Sequence, residues 1–62
     1  MKKKLVFIVD IRQLGVNIAL IAYSNNELAL EHMLKTNNDP DNLKEGIYAT
    51  VITLYIQDKV NI

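Results

Sequence analysis

The chain has 62 residues and no cysteine, and seven basic side chains balance seven acidic ones. A chain of this length forms one domain at most, here residues 1–62, and buries only about 60% of its unfolded surface, so its stability is marginal without help. The absence of cysteine excludes disulfides, thiolate metal sites and cysteine nucleophiles. The zero net charge excludes an overall field that would draw the chain onto nucleic acid or anionic lipid. A protein partner is therefore the expected source of additional stability.

The amino terminus, MKKKLVFIV, begins like a secretory signal, but Asp10 and Arg12 end its apolar stretch too early for the hydrophobic region of a signal. We therefore expect a cytoplasmic protein. The longest other apolar run, 18–23, is far shorter than the roughly 20 residues that cross a bilayer, and we expect no membrane association. Ile, Asn, Lys and Tyr, whose codons are A/T-rich, make up 24 of the 62 residues. This composition favours an AT-rich genome, such as that of a low-GC bacterium or its phage.

The first predicted element is a strand from Leu5 to Arg12, which is rich in Val, Ile and Phe and too short for a helix. Leu14 and Gly15 follow, and the glycine can supply the positive φ that a tight hairpin turn needs. Val16 to Tyr23 continues the alternation of side chains and is predicted to form the second strand.

A helix is the alternative for this second element, because Ile11, Leu14, Ile18 and Ile21 also recur at helical spacing. Against the helix, Gly15 in a helix interior costs about 1 kcal/mol relative to alanine, and the β-branched side chains favour a strand. The strand is the interpretation that we adopt.

Residues 25–36 are predicted to form a helix, with Ser24 and Glu27 in a capping box at its start. Glu31 lies one turn before Lys35 and should pair with it. Pro40 and the asparagines before it end the helix. The segment NDPDN, 38–42, lacks the glycine and glutamate of a calcium loop and is interpreted as a turn. The stripe predicted to meet the sheet consists of Ala29, Leu30, Met33 and Leu34.

Ile47 to Gln57 is the third predicted strand, and both of its faces are largely apolar. A hairpin followed by a helix that crosses the sheet would bring this strand beside the first one. The predicted fold is therefore a small α+β domain of β-β-α-β topology, with a three-stranded antiparallel sheet of order 2-1-3 and one helix on one face. The helix should cover Phe7, Val9, Ile18, Leu20, Ile52 and Leu54.

The opposite face should then expose several hundred Å² of apolar surface, which soluble monomers rarely leave in water. We therefore expect a non-enzymatic protein–protein interaction module, a homodimeric small regulator or inhibitor of a larger protein, encoded by a phage or mobile element. The dimer could form face to face or through an unpaired strand edge. Leu28 and His32 share a helix flank outside the predicted stripe and belong to the expected contact surface. The expected protein-binding residues are Val6, Ile8, Ile21, Tyr23, Leu28, His32, Val51 and Tyr55.

Candidate catalytic groups are few. His32 is the only histidine, and Glu31 beside it in sequence points about 100° away around the helix, so the sequence predicts no general base, no cofactor and no metal site. A single-stranded nucleic-acid-binding protein is the alternative function, because basic side chains could contact phosphates while tyrosines stack on bases. The zero net charge favours reading the lysines as a solubilising segment instead. The basic residues in question are Lys2, Lys3, Lys4 and Arg12.

Overall fold

The computed structural model describes the secondary structure of residues 2–58 and the side chains of residues 4–56. The elements in chain order are β1 (Lys2–Gln13), β2 (Val16–Tyr23), α1 (Asn26–Asn38), α2 (Pro40–Lys44) and β3 (Ile47–Asp58). The three strands form one antiparallel sheet with the order β2-β1-β3. The predicted fold class, a small α+β domain with the first strand in the centre, is confirmed.

A two-residue turn joins β1 to β2. Leu14 has a φ of 51° and Gly15 a φ of 84°, and positive φ at both central residues is what a type I′ hairpin turn requires. The Leu14 N–H donates to the carbonyl of Gly46 at 3.0 Å, which ties the turn to the start of β3. Val16–Tyr23 is therefore a strand, as predicted, and the helical alternative is excluded.

α1 packs across one face of the sheet, which we call the helix face. At its centre the side chains of Val9, Ala29 and Ala49 are all buried against one another. Alanines on both the helix and β3 let the two backbones approach closely, so this small cluster sets the position of α1. The partly buried side chains around it are Phe7, Ile11, Tyr23, Met33 and Val51.

A β-bulge in β2 decides which way the side chains of that strand point. Ile11 pairs with Ala19 but Arg12 pairs with Asn17, so Ile18 has no partner of its own. One extra residue moves every later side chain to the other face of the sheet. The face predicted for this strand was therefore wrong: Leu20 lies opposite the helix, and the residues predicted to be uncovered lie on the helix face, namely Ile21 and Tyr23.

β3 presents its less apolar face to the helix. Ala49 and Val51 pair with Ile11 and Val9 of β1 and share their face. Ile52 and Leu54 point to the other side, so their predicted place under the helix was wrong, as was the prediction that Val51 and Ala49 are uncovered. On hydrophobicity alone, the larger side chains of β3 are predicted to form the core. The smaller ones do so instead, because they let the helix pack closely.

The start of α1 differs from the prediction by one residue. Asn25, not Ser24, is the N-cap, and its Oδ1 accepts a hydrogen bond from the Glu27 N–H at 2.7 Å. Both residue types can cap a helix, and with Asn25 as the cap, Glu27 is too close in sequence to complete a capping box.

The buried side of α1 is also rotated relative to the predicted stripe. Ala29, Met33 and Thr36 face the sheet, whereas Leu34 is 53% exposed and Leu30 is exposed as well. Thr36 can be buried because its hydroxyl donates to the carbonyl of His32 at 2.9 Å, so no polar group is left unpaired. The prediction that Leu30 and Leu34 belong to the core was therefore wrong.

The short helix α2 (Pro40–Lys44) begins within the segment interpreted as a turn. Asp39 ends α1 with an extended backbone, as expected for a residue before proline. Its side chain then accepts a hydrogen bond from the Asp41 N–H at 2.9 Å and caps α2. Pro40 occupies the first helical position, where its missing N–H has no cost.

Asn37 connects the end of α1 to the outer edge of β3. Its Nδ2 donates to the carbonyl of Ala49 at 3.0 Å, and its Oδ1 accepts from the Ala49 N–H at 2.7 Å. These are the two bonds that an antiparallel neighbour would make with this residue. The backbone groups of Ala49 therefore point away from β1, toward the edge of the sheet.

We expect Asn37→Ala to lower the free energy of unfolding by about 1–3 kcal/mol, because both backbone groups of Ala49 lose their partner. Asn38→Ala is the matched control, since Asn38 is the exposed last residue of the same helix, and it should change stability by less than about 0.5 kcal/mol. Urea denaturation at equal protein concentration measures both. Equal effects of the two substitutions would contradict this role of Asn37.

Candidate interaction surfaces

The sheet face opposite α1, which we call the open face, has no helix packed on it among residues 2–58. From the usual strand rise and spacing, its three-stranded part measures about 26 by 15 Å, or about 400 Å². Leu20 on this face is 63% exposed, and the apolar character continues along all three strands. The apolar side chains that form the open face are Val6, Ile8, Leu20, Ala22, Ile52, Leu54 and Ile56.

A polar cluster lies on the open face, at the end nearest the turn between β1 and β2. Asp10 is only 5% exposed, and its carboxylate accepts hydrogen bonds from Asn17 Nδ2 at 2.6 Å and from Arg12 Nε at 3.2 Å. Asn17 reaches Asp10 only because the bulge places it opposite Arg12. The contact therefore stabilises the bulged register, and Arg12 balances the charge that Asp10 brings to an apolar surface.

The flank of α1 beside β2 forms a second, smaller surface. The hydroxyl of Tyr23 and the Nδ1 of His32 are hydrogen-bonded at 2.9 Å, and the two rings meet edge to face with centroids 5.9 Å apart. This pair fastens α1 over the end of β2. Beside it lies a shallow groove of about 300 Å³, lined by Tyr23, Leu28, Glu31, His32 and Lys35.

Leu28 lies outside the core, as its position on the helix predicted, and it is 51% exposed. The expected ion pair between Glu31 and Lys35 is present, with the charged atoms 3.6 Å apart. Both charged side chains are well exposed, so this pair adds little stability. Its effect is to give the groove beside Leu28 a polar outer wall.

The predicted protein-binding residues do not form one surface. Val6 and Ile8 lie on the open face, whereas Leu28 and His32 lie on the helix flank. Tyr55 follows the alternation of the helix face but lies beyond the reach of α1 and is 73% exposed. The three residues that the structure moves to the covered side are Ile21, Tyr23 and Val51.

The residues of the nucleic-acid alternative are also dispersed. Arg12 is paired with Asp10, Lys4 is exposed, and the side chains of Lys2 and Lys3 lie outside the described set. The tyrosines do not share a face, because Tyr48 lies on the open face while Tyr23 and Tyr55 follow the helix face. No observation in the described residues favours a stacking surface for bases.

Four residues of the open face are missed by the prediction from sequence, namely Leu20, Ile52, Leu54 and Ile56. The sequence predicts the first three under the helix and gives no role to Ile56. The turn at Leu14 and Gly15 is the nearest signal for the orientation of Leu20, but it is not sufficient. A two-residue loop makes Gln13 and Val16 partners, and partners point to the same face. Continuing the alternation from Val16 without a bulge, however, still leads to the wrong face for Leu20.

No family model, curated protein or solved structure matches this chain. Among residues 2–58 there is also no helix with the length and apolar character needed to cross a membrane. The interpretation of function therefore depends on the two surfaces themselves.

The orientation of α1 gives a direct prediction for Leu28. Leu28→Asp should change the free energy of unfolding by no more than about 0.5 kcal/mol, because the side chain is exposed and lies near the helix start, where negative charge is favourable. Ala29→Asp is the matched control and should unfold the protein, because it buries a charge in the centre of the core. Thermal melts followed by circular dichroism measure both, and similar losses would show that Leu28 is part of the core.

Proposed function

We propose that this chain is a non-enzymatic protein–protein interaction module, a homodimeric small regulator or inhibitor of a larger protein that docks on the open face. The observation that supports this proposal is the distribution of apolar side chains. On β3, α1 covers the smaller residues Ala49 and Val51, and the larger Ile52 and Leu54 lie on the face opposite the helix, where Leu20 of β2 is also exposed.

The size of the open face is large enough to matter energetically. About half of the roughly 400 Å² is apolar, because Ile8, Leu20, Ala22 and Ile52 share this part of the face with polar residues. Burying that half at about 25 cal/mol per Å² contributes roughly 5 kcal/mol before the costs of association. The whole folding free energy of a small domain is of the same order, about 5–15 kcal/mol. Before the costs of association, the burial of the open face is therefore an appreciable fraction of the stability of such a domain.

The charges at the margins of the open face indicate what the target presents. Lys4 lies at one end of the central strand and is exposed, while Arg12 near the other end is already paired with Asp10. An apolar centre with a polar rim is the usual anatomy of an interface. The fitting target surface is therefore apolar in its middle, with an acidic side chain on the side that meets Lys4.

Leu20→Lys tests this function, because Leu20 is exposed on the open face and a lysine there leaves the core unchanged. With the purified protein as bait in a lysate of the native host, the parent should capture a defined protein that Leu20→Lys does not. Leu43→Lys, at an equally exposed leucine on α2, is the matched control and should retain it. With the purified target, Leu20→Lys should raise the dissociation constant by about 10- to 100-fold.

Two results would contradict the proposed function. One is equal capture by the parent, the open-face variant and the control. The other is failure of the parent to capture any protein above the level of the support alone. Far-UV circular dichroism of each variant ensures that the comparison is made between folded proteins.

A further inference from the structure

We propose that two copies of this chain join through the outer edges of β3, in antiparallel pairing centred on Thr53. This inference deepens the proposed function, on which it rests, because it identifies how the homodimer forms and what it does to the open face. The argument begins with the backbone groups of β3 that have no partner within the described part of one copy.

The contact of Asn37 with Ala49 shows which residues of β3 point outward. The N–H and C=O of Ala49 are directed away from β1, and outward and inward residues alternate along a strand edge. The pairing of β3 with β1 continues without a register shift from Ile47 to Asp58. The backbone groups of Val51, Thr53 and Tyr55 therefore point outward too.

This edge lacks the features that normally prevent strands from pairing between molecules. From Ile47 to Gln57 the sequence contains no charge, no proline and no glycine, and no bulge interrupts the strand. The opposite edge of the sheet, β2, is shorter and carries the bulge at Ile18. A long, flat, apolar edge can pair with a strand of another molecule, whereas a short or bulged edge pairs poorly. Of the two edges, β3 is the one suited to association.

The sequence of β3 is complementary to itself about Thr53. In an antiparallel pair with its axis there, Thr53 faces Thr53 of the second copy, and Val51 faces Tyr55 of the second copy. Threonine pairs and pairs of an aromatic with a β-branched residue are among the favourable cross-strand combinations. On the open face, Ile52 faces Leu54 of the second copy, so apolar contacts continue across the junction.

Two features of one copy are explained by this pairing. Tyr55 is 73% exposed and has no role in its own core, but in the dimer it covers Val51 of the other chain. The next outward residue beyond Val51 is Ala49, and its backbone N–H and C=O are already bonded to the Asn37 side chain. The ladder therefore comprises the outward residues from Val51 to Tyr55 and stops at Asn37.

The dimer also changes the size of the docking surface. Residues that face one another in a sheet point to the same side, so both helices lie on one side of a six-stranded sheet and both open faces lie on the other. The continuous surface is then about 800 Å², which is the usual area that one partner contributes to a stable interface. One copy alone provides about half of that.

Sedimentation equilibrium of the full chain between about 1 and 100 μM tests the proposal. The parent should be a dimer, and Thr53→Pro should be a monomer, because proline removes the outward N–H and blocks the edge while β1 keeps its own bonds. We expect at least a 100-fold rise of the dimer dissociation constant. Leu20→Lys is the control on the open face and should dimerise within about threefold of the parent. A monomeric parent, or loss of the dimer in Leu20→Lys but not in Thr53→Pro, would overturn the proposal.

A second measurement covers the case in which Thr53→Pro fails to fold. The chain has no cysteine, so Thr53→Cys introduces the only thiol, and facing residues in an antiparallel pair lie within disulfide range. Mild oxidation should convert most of this variant to a covalent dimer, at least tenfold faster than Leu43→Cys at equal concentration. Equal rates would overturn the proposal. Because Leu20→Lys disables target docking and Thr53→Pro disables dimerisation, failure of either hypothesis can be recognised separately.

Discussion

The close packing of Ala29 against Ala49 and Val9 is the constraint on which the rest of the structure depends. A helix of 13 residues can cover only one face of this sheet, and it settles where small side chains let it approach most closely. The larger apolar side chains of β3, Ile52 and Leu54, are left on the other face as a consequence. The volumes of a few core residues, and not overall hydrophobicity, thus determine which apolar side chains remain exposed.

Much of the architecture could be predicted from the sequence, because its determinants are local. Gly15 marks the turn, Pro40 ends α1, and the alternation of Val16–Tyr23 indicates a strand; together they give the order β2-β1-β3. The faces could not be predicted in the same way. The bulge at Ile18 depends on Asn17 meeting Asp10 across the hairpin, and no local pattern encodes a contact between residues on different strands.

In the candidate surfaces, too, some features follow from local sequence and others depend on contacts between elements. The positions of Leu28 and His32 on the helix flank followed from helical spacing alone and could be derived without the fold. The Tyr23–His32 pair and the Asn37–Ala49 pair each join two elements. Neither contact can therefore be predicted from a local sequence pattern. A small chain without disulfides fixes its elements through such polar contacts, because the buried apolar core within residues 4–56 consists of three residues.

The bulge in β2 has one more consequence, for the number of copies that can assemble. Growth of a sheet into a fibre needs two good edges on every molecule, one to receive a strand and one to offer. In β2 the unpaired Ile18 breaks the even spacing of donors and acceptors, so this edge is a poor template along its length. In the proposed dimer, a chain with one pairing edge and one interrupted edge therefore assembles as a closed pair and not as a fibre.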